Sequence, residues 1–404
     1  MIRKLLLAAL TCFAGVNLFS AAAAEEVPQR YIVVLKDDLL DINGVIQLLS
    51  QTNNLLVGRV FKDALSGFAA DLTTAQVQAL RASSEVQFVA ENKPMHLDSQ
   101  TLPTGVQRIG GNHSSQHSGN GSGTFNGPAV AVVDTGISII HPDLNVQGGV
   151  SCVDDTIDDG VGHGSHVAGI IGARDNAIGV VGVAPGARLY AVKVFDADSN
   201  GDTESIVCGL DWIAHNAASL GIRVVNMSLG GDGFDDHLCG LLNGDPEHQA
   251  ICKLVDLKGL TVVVAAGNDA KDAASVIPAS YDEVITVSAL SDFNGAPGGG
   301  APATCGANID DTLYNKSNFG PDIDFIAPGS CITSTSTGTG YDLRSGTSMA
   351  APHVAGAALL YLRLLPIATP GLVKLGLQLQ ANYDWDNSTD PDGIKEPLID
   401  VSHL

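Results

Sequence analysis

The sequence predicts an α/β protein: a mostly parallel sheet flanked by helices, preceded by a small α+β unit. From residue 129 onward, short β-branched apolar runs alternate with helical stretches, as parallel strands joined by crossover helices require. Before residue 92 the order is instead strand, helix, strand, strand, helix, strand, which is a ferredoxin-like arrangement. A chain of 404 residues can hold one large domain and one such smaller unit.

In chain order, residues 1–24 read as a secretory signal peptide. Arg3 and Lys4 precede an apolar stretch over 5–19, and Ala22, Ala23 and Ala24 follow it. That apolar core is short for a membrane anchor, and no later stretch is long enough to span a bilayer, so an exported product without a membrane segment is expected. Residues 25–98 are assigned to the small unit. Its strands are placed at 31–35, 56–61, 67–72 and 86–90, with one helix over roughly 39–51 and a second opened by Thr73 and Gln76 at capping-box spacing. Residues 99–404 are assigned to the large domain. A Gly- and Ser-rich surface loop is expected over 110–128, and strands at 129–133, 188–194, 223–227, 260–265, 284–288 and 323–326. Between them, residues 204–218 place Ile206, Leu210, Ile213 and Ala217 on one face of a helix that packs on the sheet.

Composition narrows the function. Against 21 basic residues stand 44 acidic ones, a net charge of −23. Phosphate backbones and anionic lipid repel such a chain, which argues against nucleic-acid partners. The 46 glycines suit tight turns between closely packed layers. Six cysteines remain after the leader: Cys152, Cys208, Cys239, Cys252, Cys305 and Cys331, an even count that suits disulfides in an oxidising compartment. No C-x-x-C or clustered Cys/His spacing suggests zinc. Six cysteines allow 15 connectivities. Locality alone favours Cys239 with Cys252, Cys305 with Cys331, and Cys152 with Cys208.

Three stretches carry chemistry. Ser348 lies among small residues, from Gly346 to His353, just before an apolar helical pattern over 354–364. At such a helix start, unpaired N–H groups and the positive dipole end face the hydroxyl, which suits a nucleophile passing through an oxyanion. Asp134 closes a buried β-branched strand, where open α/β sheets place their chemistry. His163 opens another small-residue helix. A lone Ser at a helix start is more often an ordinary cap. The three together argue otherwise.

At these residues the chain resembles the subtilisin-like serine proteases. The segments 133–136, 163–169 and 346–356 stand almost unbroken against that family's pattern, and Ala265, Ala266, Gly267, Asn268 match its oxyanion-hole segment. The order Asp, His, Ser is that of subtilisin, which is itself the reference case for this order. The resemblance implies a serine endopeptidase acting through an acyl-enzyme, with Asp134, His163 and Ser348 as triad and Asn268 as oxyanion donor. It makes His163 the base, leaving His166, His141 and His353 structural roles. Ser165 replaces the threonine usual there. Ser228, Leu229 and Gly230 match the segment that pairs with extended substrate, and Ala265, Ala266 and Gly267 would wall a small, uncharged pocket favouring an apolar or aromatic residue before the scissile bond.

Further implications follow from the same resemblance. Asp143 and the loop 174–182 are similar to the family's strong calcium site, with side chains from Asp143 and Asn176, carbonyls from Arg174, Ile178 and Val180, and Gln100 completing the shell. Residues 25–98 resemble the family's propeptide, a folding chaperone and temporary inhibitor, so protein substrates, the chain's own propeptide and a monomeric state are expected. The junction falls either after Leu97 or nearer Asp98 and Ser99. In family terms, 232–252 and 291–316 are insertions. The rival readings are a catalytically inactive relative that binds proteins, and an α/β-hydrolase lipase. The lipase would need Gly-x-Ser-x-Gly around its serine and the order Ser, Asp, His, and neither is present.

Overall fold

The structure is a computed structural model that describes residues 28–92 and 100–404. The expected signal peptide and the junction over 93–99 lie outside the described residues. Two compact units stand on either side of that junction.

In the smaller unit, β1 (Gln29–Leu35), α1 (Ile42–Asn53), β2 (Val57–Phe61), β3 (Gly67–Leu72), α2 (Thr74–Arg81) and β4 (Val86–Glu91) follow one another in the expected order. The strands pair antiparallel in the order β2-β3-β1-β4. The capping box forms: Thr73 Oγ1 accepts from Gln76 N at 3.3 Å, and Gln76 Oε1 accepts from Thr73 N at 2.9 Å. Helix α1 starts later than the pattern suggests because Asp41 is its cap, accepting from Gly44 N at 2.9 Å. Val33, Leu35, Phe68 and Leu80 are fully buried between sheet and helices. Each such side chain contributes roughly 1.5–3 kcal/mol of burial.

The larger unit runs α3 (Thr104–Arg108), β5 (Ala129–Asp134), β6 (Val146–Ser151), α4 (His163–Gly172), β7 (Leu189–Lys193), α5 (Thr203–Leu220), β8 (Ile222–Met227), β9 (Gly231–Asp232), α6 (Pro246–Cys252), β10 (Thr261–Ala265). It continues with β11 (Val276–Ile277), β12 (Ile285–Ser291), β13 (Thr312–Leu313), β14 (Phe325–Pro328), β15 (Ile332–Thr335), β16 (Tyr341–Arg344), α7 (Thr347–Leu364) and α8 (Pro370–Gln380). Strands β6, β7, β5, β8, β10, β12 and β14 lie side by side, all parallel, and the short β13 pairs antiparallel with the end of β12. The period of two along β5 sorts its side chains between the faces. Val130 and Val132 join the core beneath α4 and α7, while Ala129, Ala131 and Val133 join the core beneath α5. Strand order reverses at β5, so a crevice opens at the carboxyl ends of β5 and its neighbours.

Departures from expectation are local. Strand β6 was not expected, because Gly148 and Gly149 interrupt its apolar pattern and it pairs only at the sheet edge. Strand β14 starts two residues late, since Ile323 N still closes a turn on Gly320 O and pairing with β12 begins at Phe325. The polar insertion over 232–252 ends in a helix of its own, α6, capped by Asp245. All three disulfides follow locality: Cys152–Cys208, Cys239–Cys252 and Cys305–Cys331. Among the described residues, no helix is long and apolar enough to cross a membrane.

Candidate active site

Ser348 is the second residue of α7. The helix is capped by Gly346 at φ +147°, a conformation that favours glycine, and a Cβ there would sit 3.1 Å from Asn268 Oδ1. This cap has no side chain, so it satisfies none of the helix's first N–H groups. Thr347 N finds Asn268 Oδ1 at 2.9 Å, and Ser348 N is left without a partner among the described residues. The same bond fixes the amide of Asn268. Its oxygen must face the Thr347 N–H, so its Nδ2 is the end presented to the cleft. One turn further, Pro352 lacks the N–H that would bond Ser348 O, and Ser228 Oγ takes that carbonyl at 3.0 Å.

His163 is the first residue of α4, at the end of β5. Its Nδ1 lies 2.7 and 2.9 Å from the two oxygens of Asp134. A carboxylate only accepts here, so Nδ1 carries the hydrogen and Nε2 keeps its lone pair. Burial pulls the imidazole pKa down, but the charge and hydrogen bond of Asp134 outweigh it and leave it raised. Gly164 lets α4 approach β5 this closely, since a Cβ there would be 2.1 Å from Gly136 O. Beneath the pair lies Asp159, whose importance the sequence did not show. It accepts from Thr135 Oγ1, Val161 N, Gly162 N, Ser165 N and Ser165 Oγ at 2.7–2.9 Å. Ser165 thus serves its position without the threonine methyl.

Ser348 Oγ donates to Ser228 O at 3.3 Å and is not hydrogen-bonded to His163. Rotation about its Cα–Cβ bond redirects the hydroxyl, and such bonds commonly tighten only when substrate arrives. The other histidines are occupied elsewhere. His166 is fully buried with Nε2 on Ile332 O and Asp342 O, and burial lowers its pKa to about 4. His353, equally buried, bonds Met349 O through Nδ1 and is likewise lowered to about 4 by burial. His141 bonds Gly340 O and accepts from Asp143 N.

The cleft beside Ser348 has a volume of about 390 Å³. Ser228, Leu229, Gly230, Ala265, Gly267 and Asn268 line it. Ala266 does not: strand alternation turns it into the core beneath α5, where it is fully buried, which corrects its assignment to the pocket wall. The charged residues of the cleft sit at its rim. Lys271 pairs with Asp232 at 2.9 Å, and the Asp232 side chain is 92% exposed, so no acidic floor is built.

The structure also brings together the six residues expected around calcium. Gln100 Nε2 donates to Arg174 O at 2.6 Å and Val180 O at 3.0 Å. Asp143 accepts from Asn176 Nδ2 at 2.8 Å, Val180 N at 3.2 Å and Tyr341 OH at 2.7 Å, and Ile178 N donates to Asn176 Oδ1 at 2.9 Å. Tyr341 was missed in sequence because it lies far along the chain in β16. A carboxylate, two carboxamides and three carbonyls form an all-oxygen set, which fits a hard cation once the amides of Gln100 and Asn176 turn their oxygens inward.

A serine at a helix start and an Asn amide on one cleft, with an acid–imidazole pair at the carboxyl end of β5, suit a serine hydrolase on a parallel sheet. Comparison with known proteins makes this specific. The Subtilase family pattern matches residues 126–390, and the Peptidase inhibitor I9 pattern matches residues 30–98. Subtilisin E of Bacillus subtilis is 34% identical over 373 residues, covering 90% of this chain and 88% of that one. An alkaline protease of Shouchella clausii is 33% identical over 351 residues, covering 84% and 83%. A solved cold-adapted subtilisin-like serine proteinase superposes with a TM-score of 0.57 at 30% identity, covering 74% of this chain and 97% of that structure. The chain belongs to the subtilase family and is a serine endopeptidase with an inhibitor-type propeptide.

Proposed function

We propose that Asp134, His163 and Ser348 form the triad of an exported endopeptidase that matures by its own cleavage. The Ser348 hydroxyl attacks the scissile carbonyl while His163 Nε2 takes its proton, and Asp134 holds the resulting imidazolium. Asn268 Nδ2 and Ser348 N donate to the oxyanion. The proton then passes from His163 to the leaving amine, and water releases the acyl group by the reverse path. Loss of an Asn donor of this kind costs about 10²–10³ in rate, a figure established on subtilisin itself. The observation that carries this reading is the Asn268 amide, locked by Thr347 N so that its donor end meets the cleft beside Ser348.

Substrate lies extended along Ser228–Gly230, and its residue before the scissile bond enters the uncharged cleft beside Ala265 and Gly267. An apolar or aromatic side chain suits that cleft. Residues 1–24 direct export, residues 25–98 assist folding and inhibit, and residues 99–404 are the mature monomer. Asp143, Asn176 and Gln100, with the carbonyls of Arg174, Ile178 and Val180, hold a structural calcium ion whose charge fixes that loop.

Ser348→Ala tests the self-processing. It keeps α7 and its backbone donors and removes only the nucleophile, so the precursor folds but accumulates uncut. Mass measurement after expression in a host lacking other subtilases reads this out. Cleavage of the Ser348→Ala chain between Leu97 and Gln100 would show another protease to be the processing agent.

A further inference from the structure

We propose that His248, Asp235 and Asp236 form a zinc site in the polar insertion that follows β9, with Glu283 holding the imidazole from behind. The site shares no residue with the catalytic cleft or with the Asp143 loop, so it stands independently of the readings given to both.

A disulfide brings the three side chains together. Asp235 and Asp236 come just before Cys239, His248 is the third residue of α6, and Cys239 is bonded to Cys252 at the end of that helix. The two sulfurs are spent on each other, which leaves the imidazole and the carboxylates as ligands. One ligand atom from each of Asp235, Asp236 and His248 lies within 4.8 Å of the other two.

His248 is the residue that points to an ion. It is fully buried and stacked flat on Tyr281, with ring centroids 3.9 Å apart. Its Nε2 lies 2.9 Å from Glu283 Oε2, and a carboxylate only accepts, so Nε2 carries a hydrogen. Nδ1 has no hydrogen-bond partner among the described residues. It faces Asp235 Oδ1 at 3.6 Å and Asp236 Oδ1 at 3.7 Å. A nitrogen-to-oxygen hydrogen bond ends at about 3.2 Å, so both contacts are too long for Nδ1 to be donating. Two ligand atoms about 2.0–2.2 Å from one zinc ion at the tetrahedral angle stand about 3.3–3.6 Å apart, close to the separations here. Without an ion, the neutral ring aims a lone pair at two carboxylates. A cation between them replaces that repulsion with attraction to all three.

The carboxylates are set in place by their own backbone. Both side chains are only 4% exposed. Asp235 accepts from His237 N at 2.6 Å on Oδ1 and from Asp282 N at 3.0 Å on Oδ2. Asp236 accepts from Leu238 N and Gly240 N, each at 2.9 Å, on Oδ1, and from Leu242 N at 2.7 Å and Asn243 N at 3.2 Å on Oδ2. Burial would raise the pKa of Asp236, but these four donors outweigh it and leave it lowered, so the group is charged. Asp235 Oδ1, with one donor, has a lone pair to give; Asp236 Oδ1, with two, is the weaker ligand, and water fills the remaining position. Among the described residues, no Lys or Arg forms an ion pair with either aspartate. Imidazole nitrogen beside carboxylate oxygen suits zinc, whereas calcium and magnesium take oxygen alone. A carboxylate on the far nitrogen of a ligating histidine, the place Glu283 takes, fixes the tautomer and raises the basicity of the ring.

The mature enzyme, blocked with a serine-directed sulfonyl fluoride and stripped with a zinc-selective chelator while calcium is kept present, is dialysed against zinc and its metal content measured. The wild-type enzyme should hold one equivalent more than His248→Asn. Cobalt(II) in place of zinc should give the visible absorption of a bound tetrahedral ion, lost in the same variant. Asp143→Ala should keep the zinc. So should His237→Gln, because His237 Nδ1 is already closed on Asp282 Oδ2 at 2.9 Å. If His248→Asn folds poorly, Glu283→Gln keeps every ligand and should weaken zinc about 10–100-fold. No zinc in the wild-type enzyme, full zinc in His248→Asn, or unchanged affinity in Glu283→Gln would overturn the proposal and leave His248 as an imidazolium between two aspartates.

Discussion

Two buried carboxylates in this enzyme, Asp134 and Glu396, differ by one percentage point in exposure and by everything else around them. Asp134 is 1% exposed and receives His163 Nδ1 on both oxygens and Thr135 N on one. A further carboxylate, Asp159, ties the chain on either side of this pair through five donors. Glu396 is 2% exposed, and its carboxyl group faces that of Asp390 instead. Burial alone therefore says little about what a carboxylate does. Donors placed in advance orient Asp134 toward His163, whereas burial against a second carboxyl group pushes Glu396 up toward its neutral form.

The largest effect expected from this contrast is on catalysis. Asp134→Asn keeps the size and burial of the side chain but can donate to His163, reversing which ring nitrogen carries the hydrogen. A loss of about 10⁴ in kcat is expected, as for other triads with this change. Melting temperature should move little. If kcat fell less than tenfold, the His163–Asp134 bond would not be setting the tautomer, and the comparison with Glu396 would lose its functional meaning.

A smaller effect is expected at the candidate cation loop around Asp143. Asp143 has three donors from its own surroundings, so its loop should stay folded without calcium and merely lose the ion's contribution. At a hundredfold excess over Kd that contribution is about 2.7 kcal/mol. Chelation should therefore lower the wild-type Tm by about 5 °C at this domain size. Asp143→Ala should lower Tm on its own account, by freeing Tyr341 OH and Val180 N, and should then respond less to chelator. An identical chelator response in both proteins would remove Asp143 from the calcium shell.

The contrast also explains what could be read in the sequence. Asp134 and Asn268 were visible because each directly ends or follows a β-branched buried run, and Ser348 and His163 because small residues surround them at helix starts. Asp159 was not, since it lies in a loop with Asp154, Asp155 and Asp158, and only the folded chain shows which of these turns inward. Ala266 was misplaced because strand parity decides its face, and parity needs a register that four small residues do not display. Helix α8 had a visible sign in Thr369 followed by Pro370, a cap and a first-turn proline. Glu396 could be seen to be acidic but not to be buried, because its burial depends on Trp385 and on the distant strand β14.

The subtlest expected effect lies in the pH profile. In the proposed mechanism His163 must be neutral to act as base, so kcat/KM should fall as pH drops through the imidazole pKa. In the wild-type enzyme that pKa is raised above 6.5, because the charge and hydrogen bond of Asp134 outweigh burial. The acid limb should therefore have its midpoint above 6.5. Asp134→Asn removes the charge and leaves the burial, and burial alone favours the neutral ring. The limb of the variant should move to lower pH, even though its plateau is far lower. His166 does not confuse the reading, since burial keeps its pKa near 4, well below the limb. The smaller influences of Arg344 and Asp159 on His163 have opposite signs and are present in both proteins. An activated ester substrate makes the slow variant measurable across the range. Coincident limbs in the two proteins would mean that Asp134 orients the imidazole without stabilising its charge, and would reduce its role to positioning.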